Sequence, residues 1–349
     1  MSQIKLLVFL LLAHLSVQVQ ADKEIKLITI GAGSEFWSAF GHTALAIDDD
    51  VYGFGYFSFE DEDLIQSFLS NQMQYDLGVS DFSREIELAR WQNRTFIVQH
   101  LKLSDAEISY ITEYLFWHNL PENQSYHYDY FLNNCSSKIR DILDQAWGGL
   151  LRNQFNQASN SNYFKQTFPA KNQSLMNLGM AMAYGWSAYS TRSEWELMAL
   201  PQYLQSKISE LGPLKVSSST VLYHEVPQNR VVAVLKTHGV LLGLFTSLFL
   251  LLLFNKTKRA TQKAVWIVQS LIGLVLLGLW VFSGHQTVGL NFNVLLFFPF
   301  AFLITKYRYL RGLLMASYAI WLVLALILGA WYLLPILLIH WMALNFNRV

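Results

Sequence analysis

The chain carries one cysteine, Cys135, within YDYFLNNCSSKIRDIL. A lone thiol cannot close an intramolecular disulfide, so it serves either packing or chemistry. Downstream, Ile139, Ile142, Leu143 and Ala146 recur at helical spacing and Gly148-Gly149 ends the run. Asn133 or Asn134 is a good N-cap, which puts Cys135 in the first turn of a helix. Orphan N–H groups and the helix dipole there favour thiolate over thiol, and the same groups can hold an oxyanion. The expectation is an activated nucleophile. The competing reading is a small buried hydrophobe, against which stand the polar flanks NNCSS.

A thiol nucleophile needs a base. His42 stands out among nine histidines. It follows Gly41 in FWSAFGHTALAI, at the start of an alternating segment whose same face carries the small Ala44 and Ala46. The competing reading is a hydrogen-bonded edge-strand residue. His100 falls in a strand, and His118 and His127 flank a helix end. For a third, orienting group there are two options. If residues 48–50 form the hairpin loop, Ile47 pairs with Val51 and Tyr56 lies opposite His42, whereas a one-residue slip sends Tyr56 to the other face. The other option is Asp129. No His-x-x-x-His or Cys-x-x-Cys spacing supports a metal site and no Gly-rich loop reads as a phosphate cradle, so no cofactor is expected. Lys and Arg balance Asp and Glu, 25 against 25, and no basic patch with interleaved aromatics suggests nucleic acid.

These residues need a scaffold, and the pattern supplies an α+β one. Residues 24–30 read as a strand, 42–47 and 51–56 as a hairpin, and 94–103 as a further strand. Ser104 and Glu107 form a capping box on a helix with Ile108, Ile111 and Leu115 on its buried face. Residues 150–165, rich in Asn, Gln and Ser, read as a loop over the site or as a plain surface connection.

The outer segments fix a compartment. Residues 1–21 have the charged start, short apolar core and small-residue end of a secretory signal peptide. Residues 22–230 form the outer domain, with a core at 22–150 and a helical extension at 151–230. From 236 to 346 apolar runs dominate, at about 236–254, 264–283, 288–305 and 313–334, with a short fifth at 335–346. Lys256, Lys258, Arg259 and Lys263 lie between the first two runs, and Lys306, Arg308 and Arg311 after the third. The positive-inside rule places these loops in the cytoplasm. The loop with His285 and Asn291, and the whole N-terminal domain, are then outside.

Taken together, SEFWSAFGHTALAI, VYGFGYF and LPENQSYHYDYFLNNCSSKIRDILD, with TRSEWELMALPQYL, VLYHEVPQN and the multi-span tail, resemble the Lnb-type lipoprotein N-acyltransferases. The resemblance implies a permuted papain-like periplasmic domain, similar to lecithin:retinol acyltransferase and NlpC-type peptidases, followed by an all-α transmembrane bundle in the bacterial inner membrane. It implies that Cys135 and His42 are catalytic, and that the outer loop with His285 and Asn291 completes the site or docks a headgroup. The implied partners are a phospholipid acyl donor and a diacylated lipoprotein acceptor. Two other readings suit the same residues: a membrane-tethered cysteine hydrolase acting on envelope peptides or amides, and a non-catalytic envelope binding or assembly protein.

Overall fold

A computed structural model describes residues 23–57, 63–254, 257–307 and 309–345. The expected signal peptide lies outside them. The strands are β1 (Ile25–Ile30), β2 (His42–Ile47), β3 (Asp50–Tyr56), β4 (Gln74–Asp81), β5 (Phe96–Leu101), β6 (Ser125–His127) and β7 (Val216–Tyr223). They form one antiparallel sheet in the order β6-β4-β3-β2-β1-β5-β7. Alternation along β1 and β2 splits the apolar residues between two faces. Leu27 and Leu45 pack with Phe54 and Leu77 against Ile111 and Leu115 of one helix and Ile139, Ile142 and Leu143 of the cysteine helix. On the opposite face Ile28, Ile30, Ala44, Ala46, Phe96 and Val98 pack under Ala89 of the Phe82–Trp91 helix. Each fully buried aliphatic side chain contributes about 1.5–3 kcal/mol, so both layers are held to the sheet.

The hairpin register differs by one residue from the sequence expectation. Ile47 pairs with Asp50, not Val51. Asp48 adopts a left-handed φ of 54°, which suits the tighter two-residue turn, and its carboxylate accepts from the Glu24 N–H at 3.1 Å, which ties that turn to the start of β1. Residues 150–165 are not a plain loop either. They hold the Leu150–Phe155 helix and the start of the Tyr163–Thr167 helix, with Leu151, Phe155 and Tyr163 buried.

Beyond the sheet, three helices among the described residues are long and apolar enough to cross a membrane: Arg230–Leu253, Lys258–Phe282 and Leu310–Leu328. The expected third helix, 288–305, is absent. In its place are 3-10 turns at Gln286–Val288, Phe292–Leu295 and Ala301–Thr305. The cause is polar. Asn293 donates to the carbonyls of Ala181, Met182 and Tyr184 and accepts from Trp321 Nε1, and Pro299 supplies no N–H. The backbone groups released from a helix find side chains instead. Gln269 Nε2 donates to Leu296 O at 3.1 Å, Ser317 Oγ to Leu295 O at 2.6 Å, and the Phe302 N–H donates to Ser270 Oγ at 3.0 Å. Irregular backbone survives at apolar depth only when protein satisfies it in this way. The fifth run forms its own helix, Leu334–Asn345, set off by Gly329 in the left-handed region (φ 73°) and a 3-10 turn at Trp331–Leu333.

The irregular segment lies hard against the Lys258–Phe282 helix. A Cβ at Gly273 would stand 1.8 Å from Phe297 O, whereas one at Gly278 would meet nothing within 4 Å. We predict that Gly273→Ala lowers the thermal stability of the detergent-solubilised chain by several degrees, through overpacking of about 1–3 kcal/mol. Gly278→Ala keeps or raises it, since Ala is the better helix former. Equal melting of the two variants would contradict this packing.

Candidate active site

Cys135 opens its helix as the sequence suggests. The Cys135–Ala146 helix is capped by Asn134, whose Oδ1 accepts from the Ser137 N–H while Ser137 Oγ accepts from the Asn134 N–H. Asn134 also donates through Nδ2 to Tyr130 O at 2.8 Å and Ala199 O at 2.9 Å. Because the cap occupies the third N–H, those of Cys135 and Ser136 are left to the sulfur, joined by the Thr43 N–H from β2. Ser136 Oγ, within reach of Thr43 Oγ1 at 3.3 Å, donates to Met198 O at 2.9 Å and so locks the helix start to β2 and to the extension.

Burial nevertheless pushes the Cys135 thiol above its ordinary range, and it outweighs the three N–H groups and the Arg94 charge that favour the thiolate. The helix start therefore does not deliver the resting thiolate that its dipole suggests. His42 moves in the complementary direction. Burial, then the Arg94 charge, lowers its pKa to about 4, so the imidazole is neutral at neutral pH and free to accept a proton. Both residues line one cavity. Among the described residues no hydrogen bond joins ring to thiol, a looseness common in sites without substrate.

Tyr56 reaches this site by two errors that cancel. The one-residue hairpin slip would send it to the wrong face. A bulge between Phe54 and Tyr56, at Gly55 with φ 109°, turns it back. A Cβ at Gly53 would lie 2.9 Å from His42 Nε2 and 3.4 Å from the Tyr56 ring, and one at Gly78 would meet that ring at 2.6 Å. Glycine at both positions makes the cradle for imidazole and phenol side by side. Asp129 is not an orienting group for His42. Its carboxylate accepts from the N–H groups of Phe131 and Leu132 and from Asn71 Nδ2, which shapes the loop leading to Asn134.

The outer-loop residues also have other partners. His285 Nε2 contacts Phe68 O at 2.6 Å, and its ring lies 5.2 Å from that of Phe68. Asn291 is buried and donates to Met182 O and Ala183 O. Neither lines the cavity. His285 acts at one remove, by holding the Leu64–Ser70 helix whose Phe68 does line it.

Two cavities meet at the His42 ring. The first, about 310 Å³, contains Cys135 and is walled by Phe36, Phe40, Phe54, Tyr75, Tyr128 and Tyr130 among others. Tyr75 and Tyr128 stack at 4.0 Å, and Phe57 on Tyr75 at 4.8 Å. The second, about 460 Å³, is the more polar of the two, with Tyr56, Ser80, Arg84, Glu85, Gln92 and Arg94 in its walls beside Ile30, Val79 and Leu88. Trp37, Gly41, His42, Gly55 and Phe57 belong to both. Sequence reasoning passed over these cavities and Arg94. The alternating aromatics of YHYDYF and the paired glycines were the available signals. Among the described residues no group of three His, Cys, Asp or Glu could hold a metal.

The fold and site define a mixed α/β domain on an antiparallel sheet, with a cysteine at a helix start, followed by a helical region with three apolar spans. Residues 14–170 match the family described as the Lnb N-terminal periplasmic domain. A periplasmic domain joined to helices of membrane-spanning length fits an inner-membrane protein. No curated protein matches the chain, and no solved structure does.

The low pKa of His42 has a measurable sign. As pH falls below about 6.5 the unfolded chain takes up a proton that folded His42 refuses until about pH 4. The stabilising contribution is thus full above pH 6.5 and is lost as pH falls through 4. In acid denaturation of the full chain in detergent, His42→Gln is expected to lose stability less steeply than wild type across that window. Alkylation of Cys135 by iodoacetamide is expected to be slow at pH 7 and to accelerate only above the ordinary thiol range. Fast alkylation at pH 7 would contradict the raised pKa.

Proposed function

We propose that the protein is a lipoprotein N-acyltransferase of permuted papain-like type, with Cys135 as nucleophile and His42 as base. The observation that carries this reading is an aromatic cavity that ends on a thiol and a neutral imidazole, in a domain braced against apolar helices. Such a cavity suits an acyl chain better than a peptide, and the family match agrees with a periplasmic site of action.

In the first half-reaction His42 takes the Cys135 proton as sulfur attacks an acyl ester carbonyl of a membrane phospholipid. Because the resting thiol is protonated, transfer and attack are coupled and no standing ion pair is needed. The N–H groups around the sulfur receive the developing oxyanion, a contribution of the order of 3–4 kcal/mol per donor in comparable sites. Collapse breaks the ester C–O bond, and the alkoxide leaves with the proton from His42. A lysophospholipid departs and the acyl group stays on Cys135 as a thioester. In the second half-reaction the α-amine of a diacylglyceryl-cysteine attacks the thioester, gives a proton to His42, and expels the Cys135 thiolate, which regains that proton. The product is an amide on the lipoprotein. Tyr56, its phenol kept protonated by burial and by Glu85, would steady the imidazole from the adjacent cradle.

Incubating the full chain with labelled phospholipid is expected to give a hydroxylamine-labile acyl adduct on Cys135. Cys135→Ser and His42→Ala should abolish N-acylation of lipoproteins, read by mass spectrometry of their N-termini in cells dependent on this protein, while both variants still insert in the membrane. Triacylated product persisting with Cys135→Ser would remove the nucleophile. Adduct formation should keep its rate down to about pH 5 and fall near pH 4, where His42 protonates. An acid limb near 6.5 would argue against His42 as base.

A further inference from the structure

Arg94 is the least explained charge in the domain. It is 8% exposed, yet its Nη2 is buried with no hydrogen-bond partner among the described residues. Its other nitrogens are used: Nε donates to Gly31 O at 2.8 Å and Nη1 to Gln92 Oε1 at 2.9 Å. A buried guanidinium with one free N–H edge is costly unless something accepts from it. Arg94 lines the polar cavity, with Arg84 also in its wall. Glu85 faces the same space, with Ser80 Oγ donating to it at 2.7 Å. Two guanidiniums against one carboxylate, beside a neutral His42, leave one positive charge. That balance suits a monoanion.

The geometry points to this cavity as the phosphodiester subsite of the acyl donor. The inference rests on the acyl-transfer reading of Cys135 and extends it. A phospholipid is an apolar chain, an ester and an anionic diester in that order. The protein offers an aromatic cavity, a thiol with an imidazole, and an arginine-lined cavity in the same order, with His42, Gly41 and Gly55 in the wall shared by the two cavities. An ester carbonyl at Cys135 with its chain among Tyr75, Tyr128 and Tyr130 puts the diester past His42, against the wall that holds the guanidiniums of Arg94 and Arg84. Neutral glycerides would leave that edge unpaired and bind less well.

Binding is tested apart from catalysis. Glycerophosphoglycerol is titrated against the full chain in non-ionic detergent and followed by phosphorus NMR. Its resonance should broaden with wild type, and the affinity should fall about tenfold in Arg84→Gln and in Arg94→Lys, as expected for losing one charge-assisted hydrogen bond. Arg94→Lys keeps the buried charge but not the fork, and Arg84 is exposed, so a folding defect in one variant leaves the other to decide. No broadening with wild type, equal broadening in all three proteins, or binding of inorganic phosphate without the diester overturns the assignment. Acylation of Cys135 is then compared between a short-chain phospholipid and the matching neutral diacylglycerol. Wild type should prefer the phospholipid, and Arg84→Gln should cut that preference about tenfold. Diester binding with no acyl-Cys135 from either ester would support the anion site and sink the acyl-transfer reading. Acyl-Cys135 formed equally from both esters, with no diester binding, would do the reverse.

Discussion

The site depends on the buried amide of Asn134. One side chain caps the cysteine helix, fixes the tight loop from Tyr130, and holds the carbonyl of Ala199 in the helical extension. A cap alone contributes about 1 kcal/mol, but here all of the amide's bonds are made in the interior, where an unmade one costs more than a made one gains. The helix cannot start elsewhere without leaving those groups orphaned. With its start fixed, Cys135 is delivered to the Thr43 N–H, one residue past His42. Cys135 and His42 are thus coupled through the backbone of β2 before any side chain of theirs meets.

The electrostatics of the pair follow from burial more than from the dipole. An exposed cysteine at a helix start ionises readily; this one is half-buried among aromatic rings, and desolvation prevails. The same enclosure strips His42 of its proton. Thiol and imidazole are both neutral at rest, and Arg94 disfavours a charged imidazole while favouring a charged sulfur. Such a pair holds its proton in the resting state, with no standing ion pair between sulfur and ring.

The helical region solves a separate problem, how to keep irregular backbone at apolar depth. Gln269, Ser270 and Ser317 project from neighbouring helices and supply the donors and acceptors that a regular helix would have supplied internally. The segment so held presents Asn291, Asn293 and the carbonyls of Thr287 and Leu290 to residues 181–186 of the outer domain. His285 completes the junction by seating the helix that carries Phe68. The aromatic cavity and the apolar helices are therefore one packed unit, joined through Phe68 and His285.

Local chemistry was legible in the chain itself. The cap, the helix after Cys135, the strand that begins at His42 and the apolar runs each follow from residue type and spacing over a few turns, because their causes are short-range. The sequence could not show β7, whose polar VSSSTVLY has no core-facing alternation and becomes a strand only by pairing with β5. Nor could it show that 288–305, apolar enough for a helix, would be unwound by partners on three other segments. The face of Tyr56 hung on a hairpin register and a bulge that compensate each other, a sum no local pattern contains. The pKa values of Cys135 and His42 were decided by what encloses them, and enclosure, like the unpartnered edge of Arg94, exists only once distant segments have packed.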